Sequence, residues 1–331
     1  MKEKANEDMF SPLFQGNFGT SKNDDYSLIM QNNATNQLSR INTNNNAKHL
    51  MEDTVTTFKQ ITATFKGKKY SVQDAQNFDI LVIKHIQDSN HENNTVVQIP
   101  LREYMAIRGK KSRTSTTRSL EKSLKNLLHL SVSYNSKYGD DDRKHFDQSF
   151  GGMNIFQDLD YGKTRPGYIT ANFTTKANQL ITQRAMPMPY HKLLSRLNPR
   201  TEAPSFYILR RVLENKITNY GEQRADRMKI ATLLKDCPAI PSYSKVMKGN
   251  KNVNARIIQP FFTAVERLKE AFDYSYITKD GKPFDYEQGV TYAEFSEAEL
   301  VIISWHNYPD YFAKSIKNAR KRYLKTKRTK K

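Results

Sequence analysis

Residues 101–138, LREYMAIRGKKSRTSTTRSLEKSLKNLLHLSVSYNSKY, read as a short helix, a Lys- and Ser-rich turn, a longer amphipathic helix and an aromatic strand. Pro100 opens the first helix over Leu101–Arg108, and Gly109 stops it. Ser115 or Thr116 caps the second helix, whose Leu120, Leu124, Leu127 and Leu128 form a single apolar stripe. Val132 and Tyr134 begin an extended segment, Gly139–Asp142 turns it and Phe150–Gln157 returns. The same order recurs over residues 227–277. There Met228–Lys235 is a short helix ended by Pro238 and Pro241, and PSYSKVMKGNK (241–251) is a turn. Asn254–Ala271 is a long helix with Ile257, Ile258, Phe261, Phe262, Val265 and Leu268 on one face; Pro260 sits in its first two turns, where it costs least. Tyr274–Thr278 and Glu299–Ser304 are strands, with Asp280–Gly281 as the turn. Each copy is a helix-turn-helix followed by a β-hairpin.

Working outward, Thr57–Tyr70 (TFKQITATFKGKKY) begins the ordered part with a strand. A helix follows, with Ser71 at its N-cap, Asp74 at its third position, and Phe78, Leu81, Val82, His85 and Ile86 on one face. Val96–Ile99 and Tyr168–Phe173 are strands, a helix starts near Thr175, and another spans Ser205–Tyr220. The segment 186–204, MPMPYHKLLSRLNPRTEAP, holds four of the twelve prolines and marks an inter-domain linker, with room for a short helix at Tyr190–Leu197. Residues 1–57 contain ten Asn and no sustained period, so they are expected to be a disordered linker, a partner-binding peptide at Asp25–Met30 being the less favoured alternative. The expected organisation is a disordered segment (1–57), a first domain (58–185), a linker (186–204), a second domain (205–305) and a basic tail (306–331). The fold class is α+β, mainly helical.

Charge directs the functional reading. The chain carries a formal net charge of +19 and a mean hydropathy of −0.76. Residues 1–57 are slightly acidic, and Ala313–Lys331 contains no acid at all. The middle of the chain is nevertheless basic in its own right, which calls for an anionic partner such as nucleic acid. No apolar run approaches the roughly 20 residues of a membrane span, and the first ten residues, MKEKANEDMF, lack the apolar core of a signal peptide. A single cysteine, Cys237, rules out an internal disulfide and any Cys-based zinc cluster; it reads as a buried apolar residue in a cytoplasmic protein. Trp305 closes the core.

In the first copy Lys110, Lys111, Arg113, Arg118, Lys122 and Lys125 face one acid, Glu121. In the second Lys245, Lys248, Lys251, Arg256, Arg267 and Lys269 face Glu266. Cations and small polar residues before and within the first turn of a helix suit double-stranded DNA: the helix N-terminus enters a groove while the preceding turn grips phosphate. Arg113, Arg118 and Arg256 have the planar fork that matches guanine, and Asn252 and Asn254 the amide that matches adenine. Lys110, Lys111, Lys248 and Lys251 suit phosphate contacts that fix position, and Lys122, Lys245, Ser112, Ser115 and Thr116 complete the candidate DNA-binding set. The basic tail adds affinity that salt would screen.

Enzyme signals fail. Gly109-Lys110-Lys111-Ser112 lacks the leading glycine of a phosphate loop, since Tyr104 stands there, and none of the seven histidines is paired with the spacing of a nickase metal site. Asp140-Asp141-Asp142 reads as a solvated hairpin tip. No catalytic residue, metal or cofactor is expected.

From Phe58 to about Trp305 the layout resembles the tandem winged-helix replication initiators of plasmids. The likeness is carried by LLSRLNPRTEAPSFYILRRVL (193–213), KIATLLKDC (229–237), the 241–251 turn and ARIIQPFFTAVERLKEAF (255–272). The resemblance implies two winged-helix domains that bind repeated sites in an origin. The second would be the main base reader, through Lys251, Asn252, Asn254 and Arg256; the first would contact DNA over Lys110–Lys122 and support a homodimer. Origin melting would draw on a host replication initiator and helicase. A transcriptional regulator of the same fold, a metal-dependent nickase and a protein that coats DNA without sequence preference are the competing readings.

Overall fold

The computed structural model describes residues 25–31, 35, 54–58, 61–66, 70–136, 150–182, 186–249, 251–285 and 289–309. The expectations for the rest of 1–57, for the Gly139–Asp142 turn with its aspartates and for the basic tail beyond Pro309 lie outside these residues. The elements run β1 (Tyr26–Gln31), β2 (Thr54–Phe58), β3 (Ile61–Lys66), α1 (Val72–Ile86), β4 (Val96–Pro100), α2 (Leu101–Ile107), α3 (Arg113–Leu128), β5 (Ser131–Ser136), β6 (Phe150–Asn154), β7 (Phe156–Tyr161), β8 (Tyr168–Phe173), α4 (Thr175–Thr182), β9 (Met186–His191), α5 (Lys192–Arg196) and α6 (Ala203–Thr218). Then come β10 (Arg227–Lys229), α7 (Ile230–Lys235), α8 (Tyr243–Lys248), a π turn at Asn254–Ile258 leading into α9 (Gln259–Glu266), β11 (Phe272–Ile277), α10 (Tyr292–Glu297) and β12 (Glu299–Trp305). The fold is α+β: among the described residues, helices mix with four small sheets, ordered β1-β9, β2-β3-β5-β6, β4-β8-β7 and β10-β12-β11.

Two compact units emerge, residues 28–187 and residues 188 onward together with Asp25–Ser27. In the first, Ser71 caps α1 as its sequence promised: its hydroxyl accepts from the Asp74 N–H, and the Asp74 carboxylate accepts from the Ser71 N–H at 2.8 Å. The apolar face read from sequence is buried, and so is much of the other side of α1, including Gln76, Asn77, Ile80 and Ile83. This helix is therefore the axis of the core, around which Phe78, Phe156 and Phe173 pack edge-on and tilted.

In the second unit the sheet and helices enclose an aromatic cluster: Phe295 meets Phe261 and Phe262 at 5.4 and 5.5 Å, and Phe262 meets Tyr276 at 5.1 Å. Asn215 on α6 donates to the carbonyls of Arg224 and Ala225, which fixes the turn into β10. Trp305 is half-buried, lies 5.3 Å from Phe272 and donates its indole N–H to Asp226. Cys237 is buried, and burial pushes its thiol up to about 12.

Three expectations are corrected. Residues 1–57 are not wholly disordered: Tyr26–Gln31 is a strand whose partner, β9, lies far along the chain, and β2 begins at Thr54. A composition reading is local and cannot see such a partner. The proline-rich 186–204 segment is not a bare linker, since it holds β9 and α5 and runs directly into α6. Pro187 and Pro189 are two residues apart, so they withdraw donors from one side of the strand only, which an edge strand tolerates. Finally, β5 and β6 pair as expected, but within the β2-β3-β5-β6 sheet; the hairpin that joins β4 is β7–β8.

His191 links β9 to α5, its Nδ1 accepting from the Leu193 N–H at 3.1 Å. An accepting Nδ1 requires the neutral ring. Burial lowers its pKa to about 4, against the pull of the Asp25 carboxylate and with help from Lys192. The unfolded chain then binds the extra proton first, so stability falls as pH drops from about 6.5 to about 4, by roughly 3 kcal/mol. His191→Asn keeps a capping acceptor without the titration. Its urea midpoint should change less than the wild type's between pH 7 and 4.5, and parallel pH profiles would refute the assignment.

Candidate nucleic-acid interface

Both units repeat one path: a strand, a helix, a turn, a longer helix and a hairpin whose last strand pairs with the first. In the first unit β4 pairs with β8 and β8 with β7; in the second β10 pairs with β12 and β12 with β11. Even the strand-to-helix corner repeats, with Pro100 at φ −58°, ψ 137° and Lys229 at φ −60°, ψ 136°. This is the winged-helix arrangement, twice. Its recognition positions are α3 in one unit and the 254–270 helix in the other.

α3 starts earlier than its sequence suggests. Ser112, not Ser115 or Thr116, is the N-cap: its hydroxyl accepts from the Ser115 N–H at 3.5 Å, and its carbonyl accepts from the Thr116 N–H at 3.2 Å. Arg113 and Ser115 thus fall in the first turn, exposed, while Lys110 and Lys111 lie exposed in the turn before it. Thr116 is buried, and its hydroxyl is given to the Ser112 carbonyl at 2.6 Å, so it is removed from the set of contact residues. Arg118 stands at the middle of the outer face, flanked by Thr114, Ser115, Lys122 and Lys125, all exposed. The opposite face carries Leu120, Leu124 and Leu127 into the core.

Polar contacts as well as apolar ones seat this helix. The Asp74 carboxylate accepts from the Ser123 hydroxyl at 2.6 Å and from Asn126 at 3.3 Å; Asn77 donates to Ser123, and the Tyr104 hydroxyl donates to Asn77. Burial raises the Asp74 pKa, and the hydrogen bonds from Ser123 and Ser71 oppose the rise. Arg108 is used internally, donating to Gln76 at 2.5 Å. Lys110 has its pKa lowered by partial burial and by the charge of Arg108, so a phosphate at that place would restore what its surroundings take away.

In the second unit the stretch read as a turn contains α8. Ser242 caps it through the Lys245 N–H, and Lys245 and Lys248 project from it, exposed. The sequence missed this helix because seven residues between Pro241 and Gly249 look like a turn. The chain then reverses at Lys251, whose φ of 58° is left-handed and whose N–H donates to the Val246 carbonyl. Asn252 caps the next helix with its Oδ1, which accepts from the Ala255 N–H at 3.0 Å. The cap takes one of the two lone pairs of that oxygen, a structural use beside the adenine contact expected of Asn252. Asn254 and Arg256 lie exposed in the first turn.

The cations of the two surfaces differ from several on the rest of the fold. Lys84, Arg211, Lys216, Arg267 and Lys269 each sit against a carboxylate, the last two on Glu202 and Glu266. Among the described residues no ion pair involves Lys110, Lys111, Arg113, Arg118 or Lys122, nor Lys245, Lys248, Lys251 or Arg256. The hairpin tips add basic residues that the sequence reading passed over. At Gly162–Gly167 the Asp160 carboxylate accepts from the Lys163 and Thr164 N–H groups and the Thr164 hydroxyl. Lys163 is exposed there, and Arg165 lies 3.7 Å over the Tyr168 ring while donating to Gln98. The signal was present in the basic Lys-Thr-Arg-Pro bracketed by two glycines, each with positive φ.

Residues 28–186 match the family model described as Initiator Replication protein, WH1, a span that nearly coincides with the first unit. No curated protein matches the chain. Among solved structures, a crystal structure of RctB domains 2–3 superposes with a TM-score of 0.51 at 9% identity, covering 84% of this chain and 98% of that one. At that identity the likeness is one of fold. The Pi initiator protein in complex with iteron DNA gives a TM-score of 0.44 at 10% identity, with 84% and 97% covered. Among the described residues no helix is long and apolar enough to cross a membrane. Over residues 28–186 the chain is thus similar to the WH1 domain of the initiator replication proteins, and the rest shares with that region the winged-helix path.

Proposed function

We propose that the protein binds repeated duplex sites in a replication origin through both winged-helix units. The observation that carries the reading is the repeated placement of exposed cations, in no ion pair among the described residues, at the N-terminal end of each recognition helix. Free cations in such a place release counterions from DNA at no cost in broken ion pairs. In the first unit Lys110, Lys111 and Lys122 hold phosphate while Arg113 and Arg118 face bases. In the second Lys245, Lys248 and Lys251 hold phosphate while Asn254 and Arg256 face bases. Two modules on one chain raise each other's effective concentration on a duplex that carries repeats. A homodimer through the first unit, and a host initiator and helicase as partners in the cytoplasm, belong to the same reading.

Selection from a random duplex library at physiological salt tests it. One enriched motif, repeated in a DNA segment that replicates autonomously when the protein is supplied, is the expected result. A motif without replication would point to a transcriptional regulator, and no motif to a nonspecific coat. Arg256→Ala should cost about 1–3 kcal/mol and relax one base position, whereas Lys111→Ala should weaken all sequences alike and lower the salt slope by about one. Binding isotherms over a salt series distinguish the two, and the reverse pattern would overturn these roles. Lys251→Gly should separate stability from binding. Relief of the left-handed strain should stabilise the fold by about 1 kcal/mol in thermal melts, while loss of the ammonium weakens DNA binding.

A further inference from the structure

The recognition helix of the second unit is not a plain α-helix. In an unbroken α-helix positions 254, 258, 261, 265 and 268 would share one face. Ile258, Phe261, Val265 and Leu268 occupy that face and are buried. Asn254 belongs to the same stripe, yet it is exposed. The difference lies in the turn between. Over Asn254–Ile258 the helix is π, the Gln259 N–H donating to the Asn254 carbonyl five residues back. One extra residue in a turn rotates everything before it by about one residue step relative to everything after it. Val253, half-buried, takes the inward place, and Asn254, Ala255 and Arg256 are exposed in succession.

Pro260 stands immediately after the widened turn, in the second position of α9. A proline has no N–H to give the Arg256 carbonyl, and in a regular α-helix its ring would collide with that carbonyl. A wider turn just before the ring avoids the collision. The exposed run that results lies beside Lys251 and Asn252, at the helix N-terminus.

We propose that Pro260 is a positioning residue for base recognition: it enforces the π turn that holds Asn254 outward beside Arg256, and so sets which bases the second unit reads. The proposal rests on the reading of this surface as a DNA interface. Pro260 itself is only half-exposed and need not touch DNA.

The test is Pro260→Ala in the full chain, read in two ways. Amide hydrogen exchange followed by NMR asks whether position 260 gains a protected, α-type amide. Selection from the random duplex library, with titrations on the wild-type motif and on scrambled duplex, asks what the variant reads. The expected result is a protected amide at position 260, a motif altered at one or two adjacent positions and affinity for the wild-type motif down by about tenfold. Thermal stability and affinity for scrambled duplex should hold. A variant that keeps the wild-type motif at unchanged affinity overturns the positioning role while leaving DNA reading intact. A new amide at position 260 that stays unprotected overturns the claim that Pro260 enforces the turn. A wild-type protein that selects no motif overturns both this inference and the reading beneath it. Pro260→Ala combined with Asn254→Ala removes the polar group that resists turning inward, and should protect position 260 at least as well as the single variant; failure to do so also overturns the proposal.

Discussion

The first unit depends on one buried carboxylate. Asp74 closes the capping box that starts α1, and the same two oxygens hold Ser123 and Asn126 on α3. A charge in that position is costly to bury and is tolerated because its lone pairs are met by hydroxyl, amide and backbone donors. What it confers is register. Apolar side chains such as Leu120 and Leu124 would pack at several rotations of α3, but a short hydrogen bond from Ser123 fits only one. The outward direction of Arg118 follows from that rotation, so a group in the interior fixes the geometry of the surface.

The second unit reaches the same end by different means. Its 254–270 helix is seated by Ile257, Ile258, Phe261, Val265 and Leu268 and anchored at its far end by Arg267 on Glu202. Aromatic packing replaces the polar bolt, and the helix start is shaped by backbone devices: a left-handed lysine, an Asn cap and a π turn. Two copies of one topology thus differ where the chemistry of contact is expected to differ. A shared path of the chain does not entail a shared way of presenting side chains.

The sequence was most legible where a signal is local and periodic. The α1 capping box, the α3 leucine stripe, the 254–270 apolar face and the β11–β12 pair all stand in the structure near their expected bounds. It was least legible where a partner is distant or a residue serves the backbone. β1 finds its partner across most of the chain. β7–β8, rather than β5–β6, completes the first wing because β4 selects it, and no periodicity within a hairpin reveals that choice. Of the polar residues nominated for contact, Thr116 is buried with its hydroxyl on a local carbonyl, and Asn252 also serves as a helix cap. Ser112 capped a helix that Ser115 and Thr116 were equally fitted to cap, and only the three-dimensional turn decides among them.

The strand at Tyr26–Gln31 bears on how the chain is made. Asp25, at its edge, is ion-paired with Lys192 and accepts a hydrogen bond from Asn307, and Tyr26 packs against His191 and Tyr308. The second unit is therefore built from both extremes of the described chain. During synthesis the open edge of β1 waits until β9 leaves the ribosome, while Asp25 and Tyr26 wait longer still for Asn307 and Tyr308, and the first unit can fold meanwhile. Translation thus delivers a finished first unit well before the unit that follows it can close.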